Sequence, residues 1–462
     1  MPRGLQWPEI AADKPADSRN GDFSVNVALK MAKSAKMNPI KLANVIVEHL
    51  DKYSFADQVW VASPGFINVS VSSQWLNAQV QQILSQGESF GESTYGRGVE
   101  VQLEYVSVNP TGPLHVGHAR GAVVGSALAL ALKAVGYQVT QEYYLNDAGN
   151  QIRLFTESVF AAYLRACGDG SALGPEGGYA GDYIDTIGSS IFDEVGGDFQ
   201  IADDGALSEI GTRAAAKVIE VIRDDLAACK VGFDVCFSEQ SLFDEGKYQE
   251  SIAMLSSKGY LKEEDGALWF ASVLLGEDKD NVVVRSSGTR TYFATDIAYQ
   301  FDKFINRKFD RVINIWGADH QGHISRLKAA LTALDIDSSK LEVLITQMVT
   351  LKSGRMSKRA GDLVTMRQLV DTIGADACRY FFLSRSLDSH LDFDLDLATT
   401  QSSENPVYYI QYAHARISSI LNSVNDAQYL GISLDLNRLI HEAEQDLIKA
   451  VSYTHLRAHE TR

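Results

Sequence analysis

The sequence predicts an α/β fold built on a parallel sheet, and two features carry that prediction. First, a β-rich run from Val99 to Val108 leads into a long apolar helix, about Ala119 to Val135, and a second strand follows from Gln138 to Leu145. Strand, helix and strand at this spacing form a βαβ unit, whose strands lie parallel. Second, the short runs Arg311 to Trp316 and Leu341 to Met348 are typical of buried strands. We therefore expect ligands at the carboxyl ends of these strands.

Length and composition fit a chain with a sizeable core. The 462 residues, 45% of them hydrophobic, suggest about two to four domains. No apolar run reaches membrane-spanning length and the start is not a signal peptide, so we expect a cytoplasmic protein with no membrane partner. The four cysteines lack CxxC spacing, which argues against a disulfide framework and a structural zinc. A net charge of −17 argues against nucleic-acid binding overall but allows a local basic stripe.

Residues 1–87 are predicted to form a small α/β domain. Its first ~20 residues are polar and are expected to be irregular. The elements that follow are helices at about Ser24 to Ala35 and Ile40 to Leu50, strands around Gln58 to Ala62 and Gly65 to Val71, and a helix at about Ser73 to Gln86. The glycine-rich run from Gly87 to Gly98 is then interpreted as a linker.

Four lysines of this first domain recur at about one helical turn, namely Lys30, Lys33, Lys36 and Lys41. A cationic stripe of this kind can hold a phosphate backbone. A solvated helix face has the same pattern, and the run alone slightly favours that interpretation.

The central domain is predicted over residues 88–368. Residues 151–287 do not continue the strand–helix alternation cleanly, and we interpret them as an insertion between two halves of the sheet. The second half is expected to open with strands at Val282 to Arg285 and Tyr292 to Ala294, followed by a helix from Asp296 to Phe304.

The last part of the chain, residues 369–462, is predicted to be helical. Its strongest segments are Ala375 to Leu383 and Asn405 to Val424, and Arg438 to Lys449 is amphipathic. The polar tail 451–462 is expected to break the helical register, and we interpret it as a non-native cloning or sequencing remnant.

The stretch from Asn109 to Arg120, where a strand hands over to a helix, contains the main candidate site. His115 and His118 stand three residues apart, with Gly117 between them. A helix N-terminus offers free N–H groups and the positive end of the helix dipole, so this site suits a phosphate group. The alternative is a first helical turn that merely carries two imidazoles; the flanking glycines and prolines favour the phosphate site.

Two further segments are expected near the same ligand. The segment from Gly317 to His320 follows a strand and precedes a helix, which places it at the ligand edge of the sheet. A helix N-cap is an equally good interpretation of Asp319 on spacing alone. The segment from Lys352 to Gly361 is a cationic, flexible loop, and taken alone it would be interpreted as an ordinary basic surface turn.

The two candidate sites together resemble the signatures of class I aminoacyl-tRNA synthetases, because HVGH at 115–118 matches HIGH and RMSKR at 355–359 matches KMSKS. The sequence around these signatures is similar to that of the arginyl-tRNA synthetase family. The segments that carry this resemblance are EYVSVNPTGPLHVGH at 104–118, YLNDAGNQ at 144–151, GADACR at 374–379 and ENPVYYIQYAHAR at 404–416. The resemblance covers about Asp17 to Lys449, and the chain looks shorter than the family at both ends.

The resemblance implies a Rossmann-type core of the HIGH-signature nucleotidyl-transferase kind. It implies that residues 1–87 contact tRNA, that 88–368 form the catalytic domain, and that 369–462 begin a shortened anticodon-binding domain. The implied activity is that of an arginine–tRNA ligase, which activates L-arginine with ATP and transfers it from arginyl-adenylate to the 3′ end of tRNA(Arg), releasing AMP and pyrophosphate. Mg²⁺ is expected with ATP, no protein-bound structural metal is expected, and we expect a monomer.

Residue roles follow from the resemblance position by position. His115, His118 and Lys358 are the implied catalytic residues, and ATP is expected to meet His115, Gly117, Asp319, His320, Met356 and Lys358. The chemistry fits, because activation needs charge and hydrogen-bond donors placed around an anionic transition state. Arg355 stands where the signature has its first lysine, so we transfer the role of Lys358 more readily than that of Arg355.

Recognition of the arginine guanidinium needs carboxylates in fixed positions. The implied arginine-binding residues are Glu104, Ser107, Asn109, His118, Tyr292 and Asp296. Without the resemblance we would prefer another interpretation, in which Asp296 caps its helix and Glu104 pairs with a structural lysine. A pocket built on charge rejects uncharged amino acids strongly, so no editing domain is expected.

The resemblance also strengthens the interpretation of the four lysines as a tRNA contact. The aromatic residues Tyr408, Tyr409 and Tyr412 and the neighbouring His414 could stack on bases, although an aromatic helix face is more often core. Three alternatives stay open at this point: another class I synthetase or HIGH-type adenylyltransferase, a non-catalytic tRNA-binding paralogue, and a truncated fragment that binds ATP but charges tRNA poorly.

Overall fold

The computed structural model describes residues 8, 10–50, 55–147, 149–352, 364–423 and 435–458. It divides into two compact units, of which one contains Met1–Tyr95 and Val424–Arg462 and the other contains Gly96–Ser423. These units are divided at other positions than the three predicted domains: residues 369–423 belong to the unit of the central sheet, and the last residues belong to the first unit.

The first unit begins with a four-stranded antiparallel sheet, in the order β1-β2-β4-β3, and two helices that pack on it. Its elements are β1 (Ala12–Asp13), β2 (Phe23–Val25), α1 (Val27–Ala35), α2 (Pro39–Glu48), β3 (Ala56–Ala62), β4 (Phe66–Val71) and α3 (Ser73–Gln86). Asn38 caps α2 by accepting hydrogen bonds from the N–H groups of Ile40 and Lys41, and Pro39 occupies the first helical position.

The second unit is organised around a five-stranded parallel sheet in the order β12-β11-β5-β6-β7. Its elements are β5 (Glu100–Glu104), α4 (Val116–Ala134), β6 (Gln138–Leu145), α5 (Asn150–Ala166), α6 (Asp182–Val195), α7 (Asp204–Ala228), β7 (Val235–Ser238), α8 (Ser241–Asp244), α9 (Lys247–Ser257), β8 (Leu261–Glu264), β9 (Ala267–Phe270), β10 (Asn281–Val284), α10 (Tyr292–Phe301), β11 (Arg311–Gly317), α11 (Ile324–Ala333), β12 (Leu341–Thr346), β13 (Val349–Leu351), α12 (Met366–Ile373), α13 (Ala375–Leu383), β14 (Leu391–Phe393), α14 (Leu395–Thr399) and α15 (Pro406–Ser423). A π-helical turn, Asp302–Asn306, extends α10.

The register of the parallel sheet aligns the ends of its strands. Glu104 is the partner of Asn314 on one side and of Glu142 on the other. The carboxyl ends of β5, β6 and β11 therefore meet at one edge, which is where α4 and α10 supply side chains. The predicted βαβ unit is confirmed, and the second strand matches its predicted bounds, Gln138–Leu145.

Three predicted elements are wrong. Residues 151–287 are not wholly outside the sheet, because β7 pairs in parallel with β6 as its edge strand. The predicted strand Tyr292 to Ala294 is the first turn of α10, since Thr291 caps a helix there. Ser24 and Val25 lie in β2 instead of a helix because they pair with β4. In each case a short segment could form either of two secondary structures, and a strand partner distant in the chain or a helix cap determined which one formed.

The chain returns to the first unit with α16 (Glu442–Ala458). Ile448 of this helix packs with Val71 and Leu76, and Lys449 pairs with Asp22 at 2.9 Å. The helix continues past Val451, so the predicted break in helical register is wrong. Within the described ranges, the helices are all too short or too polar to cross a membrane.

Candidate active site

The backbone is strained at the junction between β5 and α4. Val106 and Ser107 have φ angles of 70° and 46°, in the left-handed region. A β-branched residue rarely adopts this conformation, which costs of order 1–3 kcal/mol per residue and persists where the surroundings impose it. The turn aims Ser107 back at the strand, where its hydroxyl donates to Glu104 at 3.1 Å and accepts from the N–H of Tyr144 at 3.2 Å.

The two histidines form a capping box at the start of α4. His115 is the N-cap, and its Nδ1 accepts from the N–H of Gly117 at 3.1 Å. His118 Nδ1 accepts from the N–H of His115 at 3.4 Å. Because both Nδ1 atoms are acceptors, the proton of each neutral ring lies on Nε2. The helix start therefore presents two Nε2–H donors, and His118 belongs to the first helical turn, ahead of the predicted start at Ala119.

Both imidazoles are neutral at physiological pH. The rings stack with centroids 3.5 Å apart. Burial lowers the pKa of His115, and burial together with the neighbouring His115 lowers the pKa of His118 to about 3. The pair consequently acts through hydrogen-bond donation and the helix dipole, and not as two cations.

Gly117 leaves no room for a side chain. A Cβ at this position would lie 2.9 Å from Cε1 and 3.0 Å from Nδ1 of His115. An alanine would therefore push against the ring that caps the helix. The absence of a side chain at Gly117 therefore leaves room for the imidazole of His115.

The segment after the cationic loop is attached to the same helix start. Val116 donates to the carbonyl of Val364 at 3.0 Å, and Met366 donates to the carbonyl of Leu114 at 2.8 Å. The HVGH segment and the C-terminal flank of the loop are thus hydrogen-bonded neighbours. The predictions for Arg355, Met356 and Lys358 themselves lie outside the described residues.

Glu104 forms the ion pair that the sequence left open as an alternative. Its Oε2 accepts from the fully buried Lys303 Nζ at 2.6 Å, and the same ammonium donates to Asn314 at 3.1 Å. The ammonium also lies 3.9 Å from the centroid of the Tyr299 ring. A binding role for Glu104 must therefore coexist with this internal cation, and it stays a prediction.

Asp296 does not cap its helix. The cap of α10 is Thr291, whose hydroxyl accepts from the N–H of Ala294, and Asp296 lies in the second turn. Burial and the nearby charges of Glu104 and Glu239 raise the pKa of Asp296 to about 7, against a lowering effect of Arg326. Lys303 lowers this pKa as well, so Asp296 lies among charges of both signs.

Glu239 is the residue that sequence reasoning missed. It follows β7 directly, is buried, and forms side-chain hydrogen bonds with Tyr144 and Thr295. Burial raises its pKa to about 7, and the charge of Asp147 contributes. Its signal was weak, because β7 is four residues long and fell in the region interpreted as an insertion. Only strand pairing brings it to the ligand edge.

The cluster contains side chains of both charges. The three carboxylates of Glu104, Asp296 and Glu239 face two cations, Lys303 and Arg326. A bound guanidinium would add a positive charge beside Asp296 and Glu239, the two carboxylates whose pKa values are raised.

A cavity of about 560 Å³ adjoins the cluster. Its lining includes Tyr292, Glu239 and Thr295 together with Gly149 and Arg290. Tyr292 is exposed at the start of α10, one turn before Asp296. The two residues therefore share α10, although the sequence placed Tyr292 in a strand.

Three other predicted residues lie at the same edge. Asn109 donates to the side chain of Gln151 on α5. Asp319 and His320 follow β11 in a 3-10 turn, with His320 Nε2 3.4 Å from Asp319. Asp319 is exposed and does not cap α11, whose N-cap is His323. The alternative that Asp319 is an α-helix cap is wrong.

The four lysines of the first unit are all exposed, but they do not follow one helix. Lys30 and Lys33 lie on α1, Lys36 is its left-handed C-cap and Lys41 lies on α2. In the second unit, Tyr408, Tyr409 and Tyr412 are exposed on α15, so the expectation that this aromatic face is core is wrong for the part described. Among the residues with described positions, no group of three or more histidine, cysteine or acidic side chains is arranged to hold a metal ion.

A parallel sheet with a histidine-capped helix at its carboxyl edge, joined directly to the flank of an RMSKR loop, defines a class I aminoacyl-tRNA synthetase. Family models agree. The model described as the class I (R) tRNA synthetase catalytic domain matches residues 79–176 and 191–380, and the arginyl tRNA synthetase N terminal domain matches residues 3–71. The chain belongs to the arginyl-tRNA synthetase family.

Curated relatives support this assignment over nearly the whole chain. The arginine–tRNA ligase of Dehalococcoides mccartyi strain CBDB1 is 47% identical over 449 residues, covering 96% of this chain and 81% of the relative. That of Bacillus subtilis strain 168 is 45% identical over 454 residues, with the same coverage.

Solved structures show the same fold. An arginyl-tRNA synthetase structure from Campylobacter jejuni is 34% identical, with a TM-score of 0.71 over 85% of this chain and 92% of that one. The Thermus thermophilus arginyl-tRNA synthetase has a TM-score of 0.76 over 98% of this chain and 84% of that one. At 20% identity, this second match speaks for the fold alone.

Proposed function

We propose that this chain is an arginine–tRNA ligase whose amino-acid pocket is the carboxylate cluster at the carboxyl edge of the five-stranded sheet. The observation that supports this most is the close grouping of Glu104, Asp296 and Glu239, of which Asp296 and Glu239 have pKa values raised to about 7. A planar guanidinium with five donors is the ligand that such a cluster binds best.

Arginine would enter with its guanidinium towards Asp296 and its α-carboxylate towards the histidines. Tyr292 lies one turn before Asp296 and can pack on the side chain of the ligand. Ser107 and Asn109 come from the strained turn that connects the two ends of this path. The carboxylate of arginine is the nucleophile of the first step, so it must end next to the α-phosphate of ATP.

ATP would bind at the start of α4. The Nε2–H groups of His115 and His118 donate to phosphate oxygens, and the helix dipole favours the anion. Attack of the carboxylate oxygen on the α-phosphorus forms arginyl-adenylate and breaks the bond to pyrophosphate. Lys358, with Arg355 and Met356 in the same loop, would stabilise the departing pyrophosphate, while Asp319 and His320 face the nucleotide from β11. Mg²⁺ accompanies ATP as part of the substrate.

The second step transfers the arginyl group from AMP to the 3′-terminal ribose of tRNA(Arg). Lys30, Lys33, Lys36 and Lys41 are exposed cations that would contact the phosphate backbone of the tRNA. The exposed tyrosines of α15 would lie towards the anticodon side. We further propose that the enzyme works as a monomer in the cytoplasm.

ATP–pyrophosphate exchange tests this proposal, measured with each of the twenty amino acids, with and without tRNA. We expect exchange with arginine only, and loss of arginine-dependent exchange in Asp296→Asn. Exchange driven by another amino acid would assign the chain to a different specificity. Strong tRNA binding with no adenylate formation under any condition would favour a non-catalytic role.

A further inference from the structure

We propose that a cavity between α7 and the edge strand β7 is a second small-molecule site, which binds an aromatic carboxylate through apolar contacts and the guanidinium of Arg223. This site goes beyond the proposed function, and the experiment that tests it measures no catalysis. The cavity and the carboxylate cluster of the proposed arginine pocket lie on opposite faces of the central sheet.

The alternation of side chains along β6 and β7 separates the two sites. Tyr144 and Phe237 stack on one face with ring centroids 6.1 Å apart, and Tyr144 meets Tyr299 of α10 there at 4.5 Å. Tyr143 and Cys236 are partners one position earlier in the same pair of strands, so their side chains point to the other face. Both residues line the cavity, which is therefore on the side of the sheet away from α10.

The cavity has a volume of about 310 Å³ and a buried, apolar floor. Ile222 and Leu226 of α7 form this floor together with Val231 and Tyr143, and all four are buried. The volume lies at the lower end of the range of about 300–1,000 Å³ that is typical of small-molecule sites. An aromatic group of one or two rings is the occupant that suits this size and lining.

The aromatic wall of the cavity is held in place by contacts of its own. The hydroxyl of Tyr143 donates to the carbonyl of Val108 at 2.6 Å, and its ring meets Phe233 edge-on with centroids 5.5 Å apart. Phe233 in turn packs on the buried ring of Tyr105 at 4.4 Å. A ligand would therefore meet a wall that is already ordered, which lowers the entropic cost of binding.

The rim of the cavity presents a positive charge. Arg223 and Cys236 are exposed there, and their side chains form a hydrogen bond. Partial burial raises the pKa of the Cys236 thiol, so this partner is neutral and does not balance the guanidinium. Asp234 also lines the cavity, but its carboxylate accepts from the N–H of Gln141 at 2.8 Å and pairs with Lys133 at 3.8 Å. The rim therefore complements an anion.

An aromatic carboxylate satisfies both parts of the site at once. Its ring can reach the apolar floor, while its planar carboxylate matches the fork of the Arg223 guanidinium. A carboxamide of the same shape keeps the apolar contacts but loses the charge-assisted hydrogen bonds. Because the rim is exposed to solvent, we expect the preference for the carboxylate to be about five- to tenfold.

The first experiment compares indole-3-acetate with its uncharged carboxamide as probes, by NMR titration in the presence of saturating arginine. Arg223→Met removes the charge, and Ala227→Leu adds a side chain at the exposed rim that fills part of the cavity. Arg213→Met is the matched control, because Arg213 lies on the same helix but pairs with Glu194 and Glu209 outside the cavity. Thermal denaturation establishes that each variant is folded.

The thiol at the rim provides a second measurement on the wild-type chain. Cys236 is exposed and is expected to react with iodoacetamide, which mass spectrometry follows residue by residue. At ten times its Kd, indole-3-acetate occupies about nine-tenths of the sites, so alkylation of Cys236 should slow by about tenfold. Cys167, which is half-buried and does not line the cavity, should react at an unchanged rate.

We expect wild type and Arg213→Met to bind indole-3-acetate with a Kd of about 1 mM, and the carboxamide about five- to tenfold more weakly. Arg223→Met should bind both probes equally, and Ala227→Leu should bind neither. Equal affinity of wild type for the two probes, unchanged binding by Ala227→Leu, or no protection of Cys236 would overturn the proposal. Displacement of the probe by arginine would also overturn it, because the site would then not be distinct from the arginine pocket.

Discussion

Arginine binding to this enzyme should weaken steeply as the pH falls from 8 to 6. Arginine itself keeps its guanidinium charge throughout this range. Asp296 and Glu239, however, have pKa values of about 7 in the free protein, because burial and neighbouring carboxylates raise them. A protonated carboxyl cannot pair with the guanidinium, so the binding-competent fraction falls with pH.

The size of the effect follows from these pKa values. A group with a pKa of about 7 is ionised to about nine-tenths at pH 8 and about one-tenth at pH 6, so the apparent Kd for arginine rises about tenfold. If both carboxylates must be ionised, the rise approaches about 100-fold, and the two groups titrate as a coupled system. The bound cation favours the ionised forms, so binding at pH 7 should release protons.

Isothermal titration calorimetry measures both quantities. Arginine is titrated at constant ionic strength and without ATP, at several pH values, in buffers of different ionisation enthalpy. Glu239→Gln removes one titrating group and should flatten the pH profile, while weakening binding at pH 8. An apparent Kd that stays within twofold between pH 6 and pH 8, or proton uptake on binding, would refute the assignment of this cluster as the arginine pocket.

Three further predictions concern the same region. His118→Asn retains an acceptor near the position of Nδ1 but lacks the Nε2–H donor. The rate of adenylate formation should therefore fall about 10²- to 10³-fold, while the thermal midpoint changes little. A loss of rate explained by unfolding would contradict this prediction. Lys303→Met should lower the free energy of unfolding by about 3–5 kcal/mol in urea denaturation, because Glu104 is left buried without its cation. Adding Glu104→Gln should recover part of that loss. Strict additivity of the two changes would argue against the ion pair. Gly125→Ala should lower the free energy of unfolding by about 1–3 kcal/mol, since its Cβ would lie 2.2 Å from a buried tyrosine ring. Gly121→Ala on the same helix meets no atom within 4 Å and should raise the free energy of unfolding by about 0.5–1 kcal/mol. Equal effects of the two substitutions would rule out the steric explanation.

Sequence reasoning reached the parts of the site that are local in the chain. The strand, the histidines and the following helix lie within about 35 residues, and each has a signal of its own: β-branched residues, prolines and glycines at the junction, and a long apolar run. The parallel βαβ unit and the helix N-terminal position of His115 and His118 were predicted for these reasons and are confirmed.

The surroundings of the carboxylates could not be predicted from the sequence in the same way. Glu104 meets Lys303 across 199 positions, and Glu239 reaches the edge through the pairing of a four-residue strand with β6. The sequence pattern around a helical lysine or a short strand does not indicate which distant residue it will contact. The choice between a free carboxylate and an internal ion pair was therefore open until the packing was known.

The two kinds of result differ for a physical reason. Helix starts, caps and βαβ units are specified by steric and hydrogen-bonding preferences of neighbouring residues, and these are written directly in the order of the amino acids. The pKa values of Asp296 and Glu239 depend on burial and on groups brought together from distant parts of the chain. The amino-acid order was sufficient to place His115 and His118 at a helix start and to indicate the family, while the ion pair of Glu104 with Lys303 and the hydrogen bond of Val116 with Val364 arise only when the chain is folded.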